Sequence, residues 1–242
     1  MPLSQTYYRT LRVLLTVTLV PLVVSSCAAR QVVIVAPAVN AQQTALRLED
    51  HTRVVDPIRI VFDWELNEAG IRVNGRGVAR IEPPYKARVD LFLGNGELVL
   101  KAALLGSTLI LPPGSPRQIL PPPDLFWGTL GVFRPDYGAE LLGGDELGED
   151  ALRLRYRYED GKELHYRIEG GSVRRLELLD SDHVVQWVEV ELNADSEYPV
   201  QATYRNLVAF RELKITRDRL DRVESYPPDI WDPTGERGRQ SS

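Results

Sequence analysis

The chain has 242 residues, a formal net charge of −5, 43% hydrophobic residues and one cysteine. The acidic balance argues against a nucleic-acid binder, because that binding is driven by Lys and Arg displacing phosphate counterions, and against docking through a polybasic surface. A single cysteine excludes a disulfide framework, so the fold must hold by packing alone, and the length suits one sizeable domain.

The first residues read as an export signal. Arg9 and Arg12 form a basic start, residues 13–24 form an apolar run interrupted by Pro21, and no acid precedes Cys27. The run is shorter than the roughly 20 apolar residues a membrane-spanning helix needs, so it reads as cleaved. Val24-Ser25-Ser26-Cys27 resembles the bacterial lipobox, in which a branched apolar residue and two small residues precede the cysteine that receives diacylglycerol. By that resemblance Cys27 becomes the lipidated N-terminus, and a second acyl chain on its amine makes the anchor stable. An ordinary signal peptide with a chance cysteine is the alternative. Loss of residues 1–26, with two arginines and no acid, takes the net charge from −5 to −7. Ala28, where sorting rules would look for Asp, leaves an outer-membrane address open.

Residues 27–44 read as a lipidated tether, with a short strand at 31–35 as an alternative reading and a brief helix at 45–51 following. A domain is expected over residues 45–233. From Ile58 the period becomes two: Ile58, Ile60, Phe62, Trp64 and Leu66 on one face, Arg59, Asp63 and Glu65 on the other, the pattern of a half-buried strand. Residues 70–80 continue as a strand with Gly75 and Gly77 as kinks or close-approach points, and Pro83-Pro84 ends it. Strands at 85–93 and 97–104 flank Gly94-Asn95-Gly96, which supplies the positive φ angles of a tight turn. Gly106-Ser107 turns the chain into 109–111.

One segment breaks the strand rhythm. Pro121-Pro122-Pro123 brings the chain in extended, Asp124 is placed to cap a helix, and Leu125, Phe126, Leu130 and Phe133 follow at helical spacings. An apolar helix between two sets of strands suits a plug for a curved sheet. Beyond it Leu152, Leu154, Tyr156 and Tyr158 alternate with Arg153, Arg155 and Arg157, and Asp160-Gly161 makes a hairpin into Leu164, Tyr166 and Ile168. Further strands are expected at 173–179, 184–192, 200–204 and 212–216, with Trp187 facing away from Val188 and Val190. The expected fold class is α+β, mainly antiparallel, a meander of ten or so strands. Trp231 is expected to close the last edge, and residues 234–242 read as a disordered tail.

The order of these features resembles the LolA/LolB-like superfamily of periplasmic lipoprotein carriers and outer-membrane lipoprotein receptors. The resemblance spans roughly residues 56–232: Phe62-x-Trp64-x-Leu66, Gly75-x-Gly77, Pro83-Pro84 followed by Arg88-x-Asp90-Leu91-Phe92, then the apolar hairpin and the helix that precedes Leu141-Leu142-Gly143-Gly144. It implies an incomplete β-barrel with a short helical lid and an apolar interior that accepts acyl chains. Its candidate lining is Phe62, Trp64, Leu91, Leu93, Leu98, Leu100, Leu109, Leu111, Leu154, Tyr156 and Tyr166, with Leu125, Phe126 and Leu130 from the lid. Each of these is also a natural core residue. The receptor branch uses an exposed apolar loop residue, for which Leu105 is the candidate. The partners implied are the membrane, through lipid on Cys27, an acyl chain or lipoprotein, and a periplasmic carrier protein. The location implied is the periplasmic side of the outer membrane.

Enzymatic ingredients are sparse. His51, His165 and His183 have no metal-ligand spacing, and neither a nucleophile elbow nor a phosphate-binding glycine loop is present. No catalytic residue, metal or cofactor is expected. Asp145, Glu146, Glu149 and Asp150 read as a solvated turn without the ligand alternation of a calcium loop. His165 reads as an exposed strand residue, and the arginine row as paired with Glu163 and Glu177 across strands. The alternative to a lipid-holding protein is an envelope interaction or sensory module using the same fold.

Overall fold

The computed structural model describes residues 36–37, 40–193 and 196–235. The signal segment, Cys27, the strand reading at 31–35 and residues 236–242 of the tail lie outside the described residues.

Helix α1 (Ala41–Thr52) starts four residues earlier than the sequence suggests, because the Asn40 side chain accepts a 2.9 Å hydrogen bond from the Gln43 N–H and caps it. The first run of strands is β2 (Ile58–Glu68), β3 (Ile71–Glu82), β4 (Lys86–Leu93), β5 (Leu98–Leu105) and β6 (Thr108–Ile110); β1 (Ala36–Pro37) precedes α1. Helix α2 (Pro123–Thr129) follows. The second run is β7 (Glu140–Gly148), β8 (Ala151–Arg157), β9 (Glu163–Glu169), β10 (Ser172–Asp180), β11 (His183–Glu191), β12 (Gln201–Asn206) and β13 (Arg211–Arg222).

All pairings are antiparallel, in one open sheet of order β1-β7-β8-β9-β10-β11-β12-β13-β2-β3-β4-β5-β6. This corrects the single meander. Two meanders, β2 to β6 and β7 to β13, are sewn together where β13 lies along β2 from Arg211 opposite Glu68 to Arg222 opposite Ile58. The two connections that must cross between distant strands, β1 to β2 and β6 to β7, are the ones that carry α1 and α2.

The period-two reading of β2 holds: Ile58, Ile60, Phe62, Trp64 and Leu66 are all buried, and Asp63 and Glu65 are exposed. Strand β7 escaped the sequence because glycines and acids dilute its pattern. Asp145 belongs to it and is buried between Arg153 at 2.8 Å and Arg155 at 3.2 Å, not placed in a solvated turn. Arg157 does pair with Glu163, whereas Glu177 is taken by Arg175. His165 is half-buried and bonded to Glu163 at 3.0 Å, not exposed; burial lowers its pKa.

Seven residues make a marginal helix on their own, so α2 is held by packing. Leu125, Phe126 and Trp127 are buried, and the Trp127 indole donates to the Gly106 carbonyl at 2.8 Å, tying the helix to the β5–β6 turn. Asp124 is not the cap; Pro122 precedes the helix, and Asp124 in its first turn accepts a hydrogen bond from the Tyr158 hydroxyl. The helix stops because Gly131 takes φ +74°, letting Val132 N–H reach the Trp127 carbonyl and Gly131 N–H the Gly128 carbonyl. Trp231 closes no edge. It sits in a short 3-10 turn (Pro228–Trp231) against β4, under the Lys86 ammonium at 5.7 Å and edge-on to Tyr226.

Candidate functional site

An apolar slot opens between the sheet and α2, over the seam where the two meanders join. Its floor is Ile60, Phe62 and Trp64 of β2, Ala79 of β3, Val89 and Leu91 of β4, and Ala202, Leu213 and Ile215 of β12 and β13. Phe126 and Thr129 of α2 and Leu130 at its C-terminal cap form one wall with Leu120 and Pro121, and the 198–201 segment forms another. Thr129 spends its hydroxyl on the Phe126 carbonyl at 2.7 Å, leaving its methyl for the slot.

Phe62 faces Gly77 across β2 and β3. A Cβ at Gly77 would lie 2.3 Å from the ring, so the glycine is what lets this ring lie flat over β3. Trp64 is oriented by its indole, which donates to the Arg76 carbonyl at 3.1 Å. These second-strand contacts fix the floor.

The slot's free volume is about 60 Å³. A single water needs about 10–15 Å³ by that measure, so the slot takes roughly four to six groups of water or methylene size. A wider depression on the other side of α2, of about 560 Å³, is lined by Asp124, Asp136, Glu159, Asp160 and Lys162 among others. Its charged lining suits an alkyl chain poorly, since buried charges need partners. The smaller slot is the better candidate.

Of the fourteen residues expected to line a cavity, Phe62, Trp64, Leu91, Phe126 and Leu130 do so. Leu100, Leu154, Tyr156 and Tyr166 are core: Phe133 fills the β8–β9 side of the interior with its ring 4.5 Å from that of Tyr166 and 6.1 Å from that of Tyr156. Burial raises the Tyr156 hydroxyl pKa to about 12. Leu125 is buried facing the charged depression, and Leu93, Leu109 and Leu111 pack at the core's margin. Leu98 is a correction: at 47% exposure it points to solvent, because the register of β5 slips at Leu91/Phe92 and throws the strand's start outward.

Leu105 is half-buried. A cluster of large exposed apolar side chains lies elsewhere, with Ile71 (72%) on one hairpin tip and Leu207, Val208 and Phe210 (79%) on the neighbouring one, the tips joined by the Ala69 N–H to Phe210 carbonyl bond at 3.1 Å. The run Leu207-Val208-Ala209-Phe210 falls between the strands expected at 200–204 and 212–216, and its position on a tip shows only in the structure. Leu213 and Ile215 lie in the strand expected at 212–216 and Arg217 one residue beyond it; all three join the slot because β13 pairs with β2, a pairing that their own residues do not mark.

Asp124 is the carboxylate most displaced among the described residues. Burial beside α2, with Asp136 adding repulsion, outweighs the Tyr158 hydrogen bond and raises its pKa to about 6; the Tyr158 hydroxyl is pushed up in turn, first by burial and then by Asp124. Among the described residues no three His, Cys, Asp or Glu side chains converge to hold a metal ion.

No protein-family model matches the chain, and no curated protein sequence matches it. Solved structures do. A LolA superfamily protein from Nitrosomonas europaea superposes with a TM-score of 0.54 at 12% identity, over 78% of this chain and 96% of that one. The chain has a LolA-like fold. A DUF1329 family protein from Desulfovibrio piger agrees, with a TM-score of 0.55 at 11% identity over 81% of this chain and 98% of that one. In this LolA-like fold the interior is divided: aromatic side chains fill the β8–β9 side, and the slot remains at the β2–β13 seam.

Proposed function

We propose that the chain is a lipid-anchored, non-catalytic protein that holds an acyl chain of a lipoprotein or lipid in the slot beneath α2, and that it acts in lipoprotein localisation at the outer membrane. The observation that carries this reading is the slot itself, walled by Phe62, Trp64, Leu91, Phe126 and Leu130 with almost no polar surface. Four to six methylenes at about 0.8 kcal/mol each give roughly 3–5 kcal/mol, near the millimolar range. Tight holding of a longer tail therefore requires Phe126 and Leu130 to withdraw, which makes α2 the lid. Lipid on Cys27 would supply the anchor that the acidic surface does not.

The aromatic fill around Phe133 favours a second reading, an envelope interaction module in which the sheet serves as scaffold and the slot is merely residual. Mass spectrometry of the purified protein lacking residues 1–27 separates the two. Co-purified fatty acyl species are expected for a carrier, and their absence, together with no uptake of added fatty acid, favours the module. Metabolic labelling with an alkyne fatty acid tests the anchor, and label that persists in Cys27→Ser would overturn lipidation there.

A further inference from the structure

Strand β13 sends Leu213, Ile215 and Arg217 to the slot in succession. A guanidinium thus occupies a position in an apolar stripe, directly opposite the Phe62 ring across the β2–β13 pair. The chain then slips by one residue between Arg217 and Arg219, leaving Asp218 as the extra residue of a bulge, and the apolar alternation resumes with Leu220 opposite Ile60. Such a bulge re-aims a side chain at the point where pairing is interrupted.

The hydrogen bonds of Arg217 go to neutral acceptors, from Nη1 to the Tyr198 carbonyl at 3.0 Å and from Nη2 to the Ser196 hydroxyl at 2.8 Å. Among the described residues no carboxylate lies within ion-pair distance of it. Its neighbours differ: Arg219 pairs with Asp221, and Arg222 with Asp56 and Glu197. A guanidinium carries five N–H donors, so three remain uncommitted at Arg217. Arg217 also lines the adjoining open depression, with Ser196, Glu197, Asp218, Arg219 and Arg222. It therefore stands on the boundary between a dry slot and water, where an amphiphile changes from tail to head.

We propose that the slot takes a single-chain amphiphile with an anionic oxygen head, its carboxylate or phosphate seated on Arg217 and its alkyl chain running inward along Phe62 and Ile215. This rests on the acyl-holding reading above and adds the class of ligand. The planar fork of arginine matches two anionic oxygens, and a charge-assisted pair of bonds at a half-buried site is worth about tenfold or more in affinity.

The test is titration calorimetry of the purified protein with dodecanoate, dodecyl phosphate and dodecanol, each below its aggregation concentration. Dodecanoate and dodecyl phosphate are expected to bind about tenfold or more tighter than dodecanol, and the tighter of the two identifies the head. Arg217→Gln is expected to bring all three to the dodecanol value while leaving dodecanol itself unchanged, and Arg217→Lys to restore part of the preference. A purely structural Arg217 would weaken all three alike. If the wild-type protein binds the alcohol as tightly as the anions, the head site is overturned and the acyl slot survives. If none of the three binds, the acyl reading fails and this inference with it. Should Arg217→Gln not fold, the wild-type anion-to-alcohol ratio still decides.

Discussion

The Phe62 ring lies where a side chain on Gly77 would have to be, with Cε2 and Cζ both 2.3 Å from the position of the missing Cβ. The floor of the slot thus depends on an absent methyl group. Gly77→Ala is expected to push the ring off β3 and into the slot. The strain of such overpacking is about 1–3 kcal/mol, read as a shift in the urea midpoint, and uptake of a fluorescent fatty acid should fall together with stability.

Asp124 gives the fold a pH dependence of defined sign. Its pKa is about 6 when folded and near 3.8 when free, so in between the folded state binds more protons than the unfolded one. The stabilisation is fully present below the lower value and is lost as pH rises through about 6, by up to about 3 kcal/mol. Asp124→Asn keeps an acceptor for the Tyr158 hydroxyl and is expected to flatten stability between about pH 4 and pH 6, measured by urea unfolding at each pH.

Gly128 sets how closely α2 approaches β10. A Cβ there would fall 2.7 Å from both Cδ atoms of Leu176, which is fully buried and has nowhere to go. Ala for Gly in a helix gains about 1 kcal/mol in propensity, and forcing a methyl into a packed contact loses about 1–3. Net destabilisation of about 1 kcal/mol is expected for Gly128→Ala, and Leu176→Val in the same chain should recover part of it. Thermal unfolding of the single and double variants measures the coupling.

Phe133 is the side chain that fills the β8–β9 half of the interior. Phe133→Ala is expected to cost about 3–5 kcal/mol by leaving a cavity against Tyr156 and Tyr166, while Phe133→Leu should cost distinctly less. Denaturant unfolding of the two variants makes the comparison.

Where one face of a strand meets the core and the other meets water, the alternation could be read directly, as with Ile58 to Leu66 and with Leu164, Tyr166 and Ile168. Turn chemistry gave the hairpins at Gly94-Asn95-Gly96 and Asp160-Gly161. Strand β7 could not be read that way, because glycines and acids interrupt its leucines and the burial of Asp145 depends on arginines from β8. Nor could the exposure of Leu98, which follows from a register slip with no mark in its own residues. Five slot residues were legible because they are large and apolar on well-patterned elements. Arg217 was not, since a charged residue near a strand's end reads as surface until its partner strand is known.

The sequence by itself determined the local elements, their apolar faces and the order in which they come, because these depend on neighbours two to four residues away. Only the tertiary structure decided that β13 lies against β2, which half of the interior is filled and where the slot opens. Those outcomes depend on contacts between residues more than a hundred positions apart, such as Phe62 with Arg217, and on whether a ring such as Phe133 happens to occupy the space. Local patterning carries no information about either.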